Sequence, residues 1–460
     1  MPIFDVIGLG GEKHAVIIDI GAAYTKVGFA KETAPRHIIP SRIFHIVNGK
    51  REDVSVFHIK NRKPDELYSI LRDFIHLIYF RYLLVNPKER RVVICESILC
   101  PTQFREVLAK VLFRHFEVLS VSFAPSHLLS LFSLGIPSGL VMDCGYSESL
   151  VLPIYEGTAI LKATTGIPLA GKALHRHLEE QLMERSLVQI ETGVKPLSSV
   201  MGSLEEEILE DIKVLTCFVA PKFSGPQNEA RPASLVPQVD YPLDGGRILR
   251  IEGQIREQTF DILFDGDEEE KSLATALLDS LLLCPIDTRK TLAENIVLIG
   301  GTAMTPGFKH RLMQEIYLLL QSPKYKDKLF IKTVKMHQPP VNANITAWLG
   351  GAIFGSLEVL ADRSTTRERY QQHPKLPDWS TCDPLSEQQS QVEERLERPV
   401  LSRRQTSGIT STLSSLSSAL SSRILGSGSS RIALDRSGGR LGSTGSTSSS
   451  IQESPAEDKK

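Results

Sequence analysis

Two carboxylates, two lysines and three short turns of small residues are where this chain could do chemistry. In the run His14–Ala30 an apolar stretch, Ala15 to Ile18, reads as a buried strand that delivers Asp19 to its C-terminal end. Gly21, Ala22 and Ala23 then turn the chain, and Tyr24 to Phe29 returns as a second strand carrying Lys26. A turn of small residues lets backbone N–H groups approach a phosphate closely. Lys26 adds positive charge, and Asp19 can hold a hydrated metal. Alone, such a pattern is more often an ordinary hairpin with one charge at its end.

A second copy changes that balance. Gly139 to Pro153 repeats the order of apolar strand, turn (Asp143, Cys144, Gly145) and returning strand. Two such hairpins predict two related half-domains facing each other across a cleft. Each would give one loop and one carboxylate to a nucleotide's phosphates and cation. A third turn follows the buried strand Ile296 to Ile299, where Gly300, Gly301 and Thr302 lead into a helix start. Two glycines there let an adenosine ring or an α-phosphate lie against backbone.

The elements that must position these turns read as an alternation of strands and helices. Pro35 to Ser41 is an extended segment leading away from the site, and Arg42 to Pro64 is short, polar and weakly periodic. Asp65 is the expected N-cap of a helix reaching about Val85, and Thr102 that of a helix reaching about Phe116. Strands are expected at Arg91–Cys95 and Val118–Phe123, followed by a short helix ending near Gly135. Gly171 to Leu174 opens a further helix, and Leu204 to Ala220 is amphipathic and carries Lys213. Pro221 to Asp240 reads as an exposed loop, Tyr241 to Glu252 as a hairpin, and Asp265 to Glu270 as a solvated acidic face. Ala347 to Gly355 is a small-residue helix able to pack closely, and the folded core should finish near Pro374 to Asp378.

Bulk properties exclude several classes. With 460 residues, 41% hydrophobic and 23% charged, the chain suits a soluble globular protein with a large core. A formal charge of −1 gives no global pull toward nucleic acid or membrane. Its six cysteines are scattered, without a CxxC pair, and read as reduced core thiols of an intracellular protein. The run Met1 to Asp5 has no basic region followed by an apolar stretch, so a secretory signal is not expected. The apolar segment Leu67 to Val85 is broken by Arg72, Asp73, His76 and Arg81, which suits a buried helix and not a membrane span. A cytosolic or nuclear setting is expected. Residues 401–460 hold 19 serines and no aromatic residue, too little apolar surface to offset ordering entropy, so that tail is expected to be disordered. Within it Arg403 to Thr406 has the form of a basophilic kinase site.

The two Asp-x-Gly hairpins and the later Gly-Gly-Thr, in this order, resemble the superfamily of actin, hexokinase and the heat-shock chaperone ATPases. Longer runs are similar to actins specifically: Lys26 to Ala30, Ala34 to Arg36, Val151 to Gly157, Asp211 to Lys213, and Trp348 to Gly351. Phe74 to Arg81, Leu84 to Pro87 and Cys284 to Lys290 are similar to actin-related subunits of the dynactin pointed-end complex. The resemblance spans about residues 12–360. It implies an α/β, actin-like fold over 1–375, with two ribonuclease H-like halves around a nucleotide cleft and the tail from 376 to 460. One half would take about 1–148 with 340–375, the other about 149–339. The implied nucleotide-binding residues are Asp19, Gly21, Lys26, Asp143, Gly145, Lys213, Gly300, Gly301 and Thr302. Asp19 and Asp143 would reach a metal through water, and ATP or ADP with Mg2+ would be a structural ligand, the alternative being no cofactor and an empty cleft held closed by packing.

Departures from actin refine these expectations. Tyr146 stands where actin has a second phosphate-loop carboxylate, Ser126 where it has its water-orienting glutamine, and Leu150 where it has a histidine. No catalytic residue is therefore expected, and hydrolysis should be very slow or absent. His127 should point to the other side of its helix. Ala22 and Ala23 replace residues that wrap the β-phosphate, while Glu210, Val214, Thr305 and Asn344 replace base and ribose contacts. The segment from Pro40 to Glu96 is shorter than in actin, in the outer subdomain that receives the next protomer. Filament contacts are head-to-tail, so a subunit without a receiving loop ends a filament and cannot extend it. The resemblance thus implies a structural dynactin subunit of the cytoplasm and cytoskeleton. Its partners would be the actin-related filament and pointed-end proteins and, indirectly, dynein and cargo adaptors, with neither nucleic acid nor membrane insertion. The competing readings are an ATPase or small-molecule kinase of the same superfold, and a nuclear subunit of a chromatin remodeller.

Overall fold

The computed structural model describes residues 13–47, 50–57, 62–222, 235–266 and 271–377. Most of the Pro221–Asp240 loop, the acidic run after Gly266, and the Ser-rich tail with Arg403 to Thr406 lie outside them.

Runs of aliphatic residues build the first sheet. Strands β1 (Val16–Ile20) and β2 (Tyr24–Phe29) form the expected antiparallel hairpin, with Asp19 opposite Lys26. Strand β3 (His37–Pro40) lies antiparallel to β2. The segment expected to lead away from the site therefore returns to it. Ser41 donates its hydroxyl to Gly21 O at 2.6 Å and its N–H to Ala23 O at 2.8 Å.

The region 42–64 is also more regular than its sequence suggests, forming a two-stranded ribbon of β4 (Arg42–Val47) and β5 (Lys50–Ser55). Ile43 packs toward the core while Phe44 and Ile46 on the other face stay exposed. Apolar residues on both faces erase the alternation that signals a strand. Parallel strands β6 (Arg91–Glu96) and β7 (Ser120–Pro125) complete the sheet beside β1, and Thr365–Thr366 closes its edge.

The second sheet repeats the plan. Strands β8 (Gly139–Cys144) and β9 (Ser149–Tyr155) are antiparallel, and Ile296–Ile299 lies parallel to β8. Because β8 pairs with β9 and Ile296–Ile299, this sheet begins ahead of the division at 148 expected from sequence. A four-stranded antiparallel sheet extends the second half; it includes the hairpin expected over Tyr241–Glu252, whose strands are Val239–Pro242 and Ile248–Ile251.

Helix α1 (Pro64–Leu77) buries Leu67, Ile70, Leu71 and Phe74 and continues into a π-helical stretch, Ile78–Leu83. Its N-cap is Lys63, without a side-chain bond. Asp65 sits inside the first turn, so it complements the helix dipole and does not cap it. Thr102 is likewise the first residue of helix α2 (Thr102–Lys110), and Pro101 takes the cap position.

Two helices separate the sheets: α3 (Ser126–Leu134) and Thr346–Phe354. Leu129 and Trp348 belong to the apolar cluster under the first sheet, Leu131 and Ala347 to the one under the second. The helices cross at backbone distance. A Cβ on Gly350 would lie 1.7 Å from Leu129 O, and one on Gly351 2.7 Å from Cys95 Sγ. Trp348 is fully buried and donates its indole N–H to Ile17 O at 3.3 Å. Gly350→Ala has only backbone to collide with, so it should lower stability by about 3 kcal/mol in denaturant titrations.

Candidate functional site

Both Asp-Gly turns open onto one cleft of about 600 Å3, a size that suits a small ligand. All nine residues singled out from the sequence line it: Asp19, Gly21, Lys26, Asp143, Gly145, Lys213, Gly300, Gly301 and Thr302. The two sheets and the helix Glu206–Thr216 bring them together from four separated stretches of chain.

In the first loop Gly21 N–H closes the turn on Tyr24 O at 3.1 Å, and Lys26 Nζ lies 3.0 Å from Asp19 Oδ2. Ala22 and Ala23 have no positive φ, so alanine costs nothing there. Among the described residues neither of their N–H groups donates to a backbone oxygen, which leaves both for a ligand.

The second and third loops are locked together. Gly145 O accepts from the Thr302 hydroxyl at 2.8 Å and from Gly171 N–H at 3.2 Å, the latter at the start of helix α4 (Gly171–Arg185). Gly300 has φ +94°, and a Cβ there would sit 2.2 Å from Cys144 O and 2.7 Å from Asp143 Oδ1. Its glycine is thus demanded by the protein itself. Gly301 has no heavy atom within 4 Å of its Cβ position and is the one that leaves room.

On the opposite wall Lys213 Nζ lies 2.5 Å from Glu210 Oε2 and 3.0 Å from His175 Nε2, and His175 Nε2 is 2.9 Å from the same carboxylate oxygen. His175 was not legible as a site residue, because it comes from α4, a different helix from its partners. Ile38, Phe57, Leu99, Cys100 and Met304 also line the cleft and carry no sequence signal for doing so.

Ser126 and Leu150 face the cleft as expected. The Ser126 hydroxyl lies 3.4 Å from His127 Nδ1, and His127 Nε2 lies 3.4 Å from Leu150 O. His127 is fully buried behind the wall, and that burial holds its pKa down at about 4.

Burial, aided by the neighbouring Asp19 charge and opposed by Lys26, pushes the Asp143 carboxyl up to about 6. Burial would lower the Lys26 ammonium, but the Asp19 carboxylate and, with it, Asp143 and Cys95 outweigh it, so Lys26 stays charged. Burial also works against Glu210, yet hydrogen bonds from His175 and Lys213 bring it to about 2. Among the described residues no three His, Cys, Asp or Glu side chains form a metal cluster. Two carboxylates, Asp19 and Asp143, fit a Mg2+ that keeps several waters and takes further oxygens from phosphate. The residues present therefore fit a Mg-nucleotide.

A second constellation has the outline of a hydrolytic triad. Ser69 Oγ lies 3.1 Å from His45 Nε2, and His45 Nδ1 lies 3.2 Å from Asp73 Oδ2. Ser69, however, is inside α1 and donates its proton to Glu66 O at 2.8 Å. A serine on an unbroken helix has no free N–H groups beside it to hold an oxyanion. The trio ties the β4–β5 ribbon to α1.

Comparison with known proteins agrees with this geometry. The family description for actin matches residues 10–376. The chain is also similar to actin-related protein 10 of Dictyostelium discoideum, 29% identical over 429 residues, covering 80% of this chain and 89% of that protein.

The raised Asp143 carboxyl gives the ligand-free protein a defined pH response. An unfolded Asp titrates near ~4, whereas the folded group holds its proton to about 6. Its contribution to stability should therefore fall as pH climbs from about 4 to about 6 and stay flat above. Asp143→Asn should remove that part of the pH dependence, seen by comparing urea midpoints at pH 4.5 and 7.5.

Proposed function

The chain belongs to the actin family, and from that premise we propose that it is a structural subunit that does not turn over nucleotide. In this reading it ends the pointed end of the actin-related filament of dynactin, in the cytoplasm, and presents a surface to pointed-end partners in dynein-driven transport. It holds ATP or ADP with Mg2+ as a fixed ligand between its halves, with Asp19, Lys26 and Asp143 on the phosphates and cation.

The observation that carries the reading is the cleft wall at Ser126 and Leu150. Hydrolysis needs a water held in line with the γ-phosphate, chiefly by positioning and charge. The short Ser126 side chain is directed at His127, and Leu150 offers no polar atom. His127 is kept neutral behind the wall, with its ring nitrogens facing Ser126 and the Leu150 carbonyl. Neither Ser126, His127 nor the Leu150 side chain is placed to orient or deprotonate water. The phosphate-side backbone, in contrast, is unstrained and open, which favours binding without turnover. Similarity to a protein named actin-related protein 10 supports a place among actin-related subunits.

The test uses the purified full-length chain. Acid extraction should release bound adenine nucleotide, and multi-turnover phosphate release with Mg-ATP should not exceed the protein-free rate. Added to actin-related filaments, the chain should block growth at one end only and co-purify with the other dynactin subunits. Steady turnover at the rate of assembled actin would overturn the structural reading.

A further inference from the structure

His175 has no place in the reading so far, yet it is one of the few buried polar side chains beside the cleft. It lies on α4 behind the wall formed by the helix Glu206–Thr216. Its Nε2 meets both Glu210 Oε2 at 2.9 Å and Lys213 Nζ at 3.0 Å. Its Nδ1 is buried, lacks a hydrogen-bond partner among the described residues, and lies 3.5 Å from Glu206 Oε1. The ring packs edge-on against Tyr146, centroids 5.6 Å apart, and Tyr146 O accepts Lys172 N–H at 2.7 Å in the second phosphate-side loop.

Glu210 and Lys213 are three residues apart on one helix, and left alone both long side chains would sample many rotamers. A rigid buried ring in contact with both removes that freedom. With the His175 Nε2–H donated to Glu210, one Lys213 N–H is committed, to the same carboxylate, and the others are available where Lys213 lines the cleft. Glu210 Oε1 has no partner among the described residues, and Glu210 also lines the cleft. The wall thus shows a donor beside an acceptor with their charges mutually cancelled. Such a pair suits the neutral part of a nucleotide, its sugar hydroxyls and ring nitrogens, better than its phosphates.

We propose that His175 is a positioning residue that fixes Glu210 and Lys213 as a neutral donor–acceptor pair, and so sets how long the nucleoside end of a bound nucleotide is held. This rests on the proposal that the cleft holds a Mg-nucleotide. Glu206 also faces the cluster, with Glu207 nearby, and Arg42 Nη1 lies 3.9 Å from Glu206 Oε2.

The experiment measures dissociation of radiolabelled Mg-ATP from the full-length chain. His175→Leu, of similar volume but unable to hydrogen-bond, should speed dissociation about tenfold. His175→Gln, whose amide N–H can donate to Glu210 as the ring does, should restore a rate near that of the unsubstituted chain. A packing role would instead make the two variants alike, and that result, or an unchanged rate in both, overturns the inference while the nucleotide-binding proposal stands. Should His175→Leu not fold, Glu210→Gln breaks the same cluster from its more exposed side and must also speed release. If the unsubstituted chain neither contains nor takes up Mg-ATP, both proposals fall together.

Discussion

The approach of Gly350 to the Leu129 carbonyl is the constraint on which the rest of the molecule depends. Two sheets that each end in an Asp-Gly turn can share a ligand only if something holds their ends at a fixed separation. Here that spacer is a pair of helices crossing with no side chain between them. Ile17 of β1 and Cys95 of β6 rest on Trp348 and Gly351 from one side, and Val141 and Ile299 rest with Leu131 and Ala347 from the other. The distance between Asp19 and Asp143 is thus set by backbone packing well behind the cleft. Interiors packed to crystal-like density transmit such constraints with little loss.

Within that frame the cleft is built from pre-paired charges. Lys26 leans on Asp19 and Lys213 on Glu210, so each lysine enters binding with its charge already answered. Asp143 is the exception, enclosed beside Asp19 and held up to about 6. A cation between the two carboxylates would relieve that cost, and phosphate oxygens would complete its shell. The loops meanwhile are stiff where they touch each other and open where a ligand would enter. Thr302 and Gly171 both donate to the Gly145 carbonyl, whereas Ala22, Ala23 and Gly301 are left to face the space.

Much of this architecture can be read from the chain alone, because its strongest signals are local. Apolar strands ending in Asp, small-residue turns and returning strands have short-range patterns, and their duplication identified the cleft. What escaped is what depends on long-range pairing. The ribbon at 42–55 carries apolar residues on both faces and so lacks an alternation to recognise. Pro35 to Ser41 is visibly extended, but its return toward Gly21 is decided by pairing with β2. Asp65 has the chemistry of a cap, and Pro64 starts the helix one residue earlier. His175 is separated by 35 residues from Glu210, and only the packing of two helices brings them together.

The buried tryptophan in the spacer has one more consequence. The chain contains two tryptophans, and Trp348 is the one in the described structure, sealed where both sheets meet and tied to the Ile17 carbonyl. An indole in that position responds to its electrostatic and packing surroundings. The protein therefore carries an intrinsic optical gauge at its pivot, one residue along the helix from Ala347 of the cleft wall and itself sealed from the cleft, so that it would register a ligand through the packing around it.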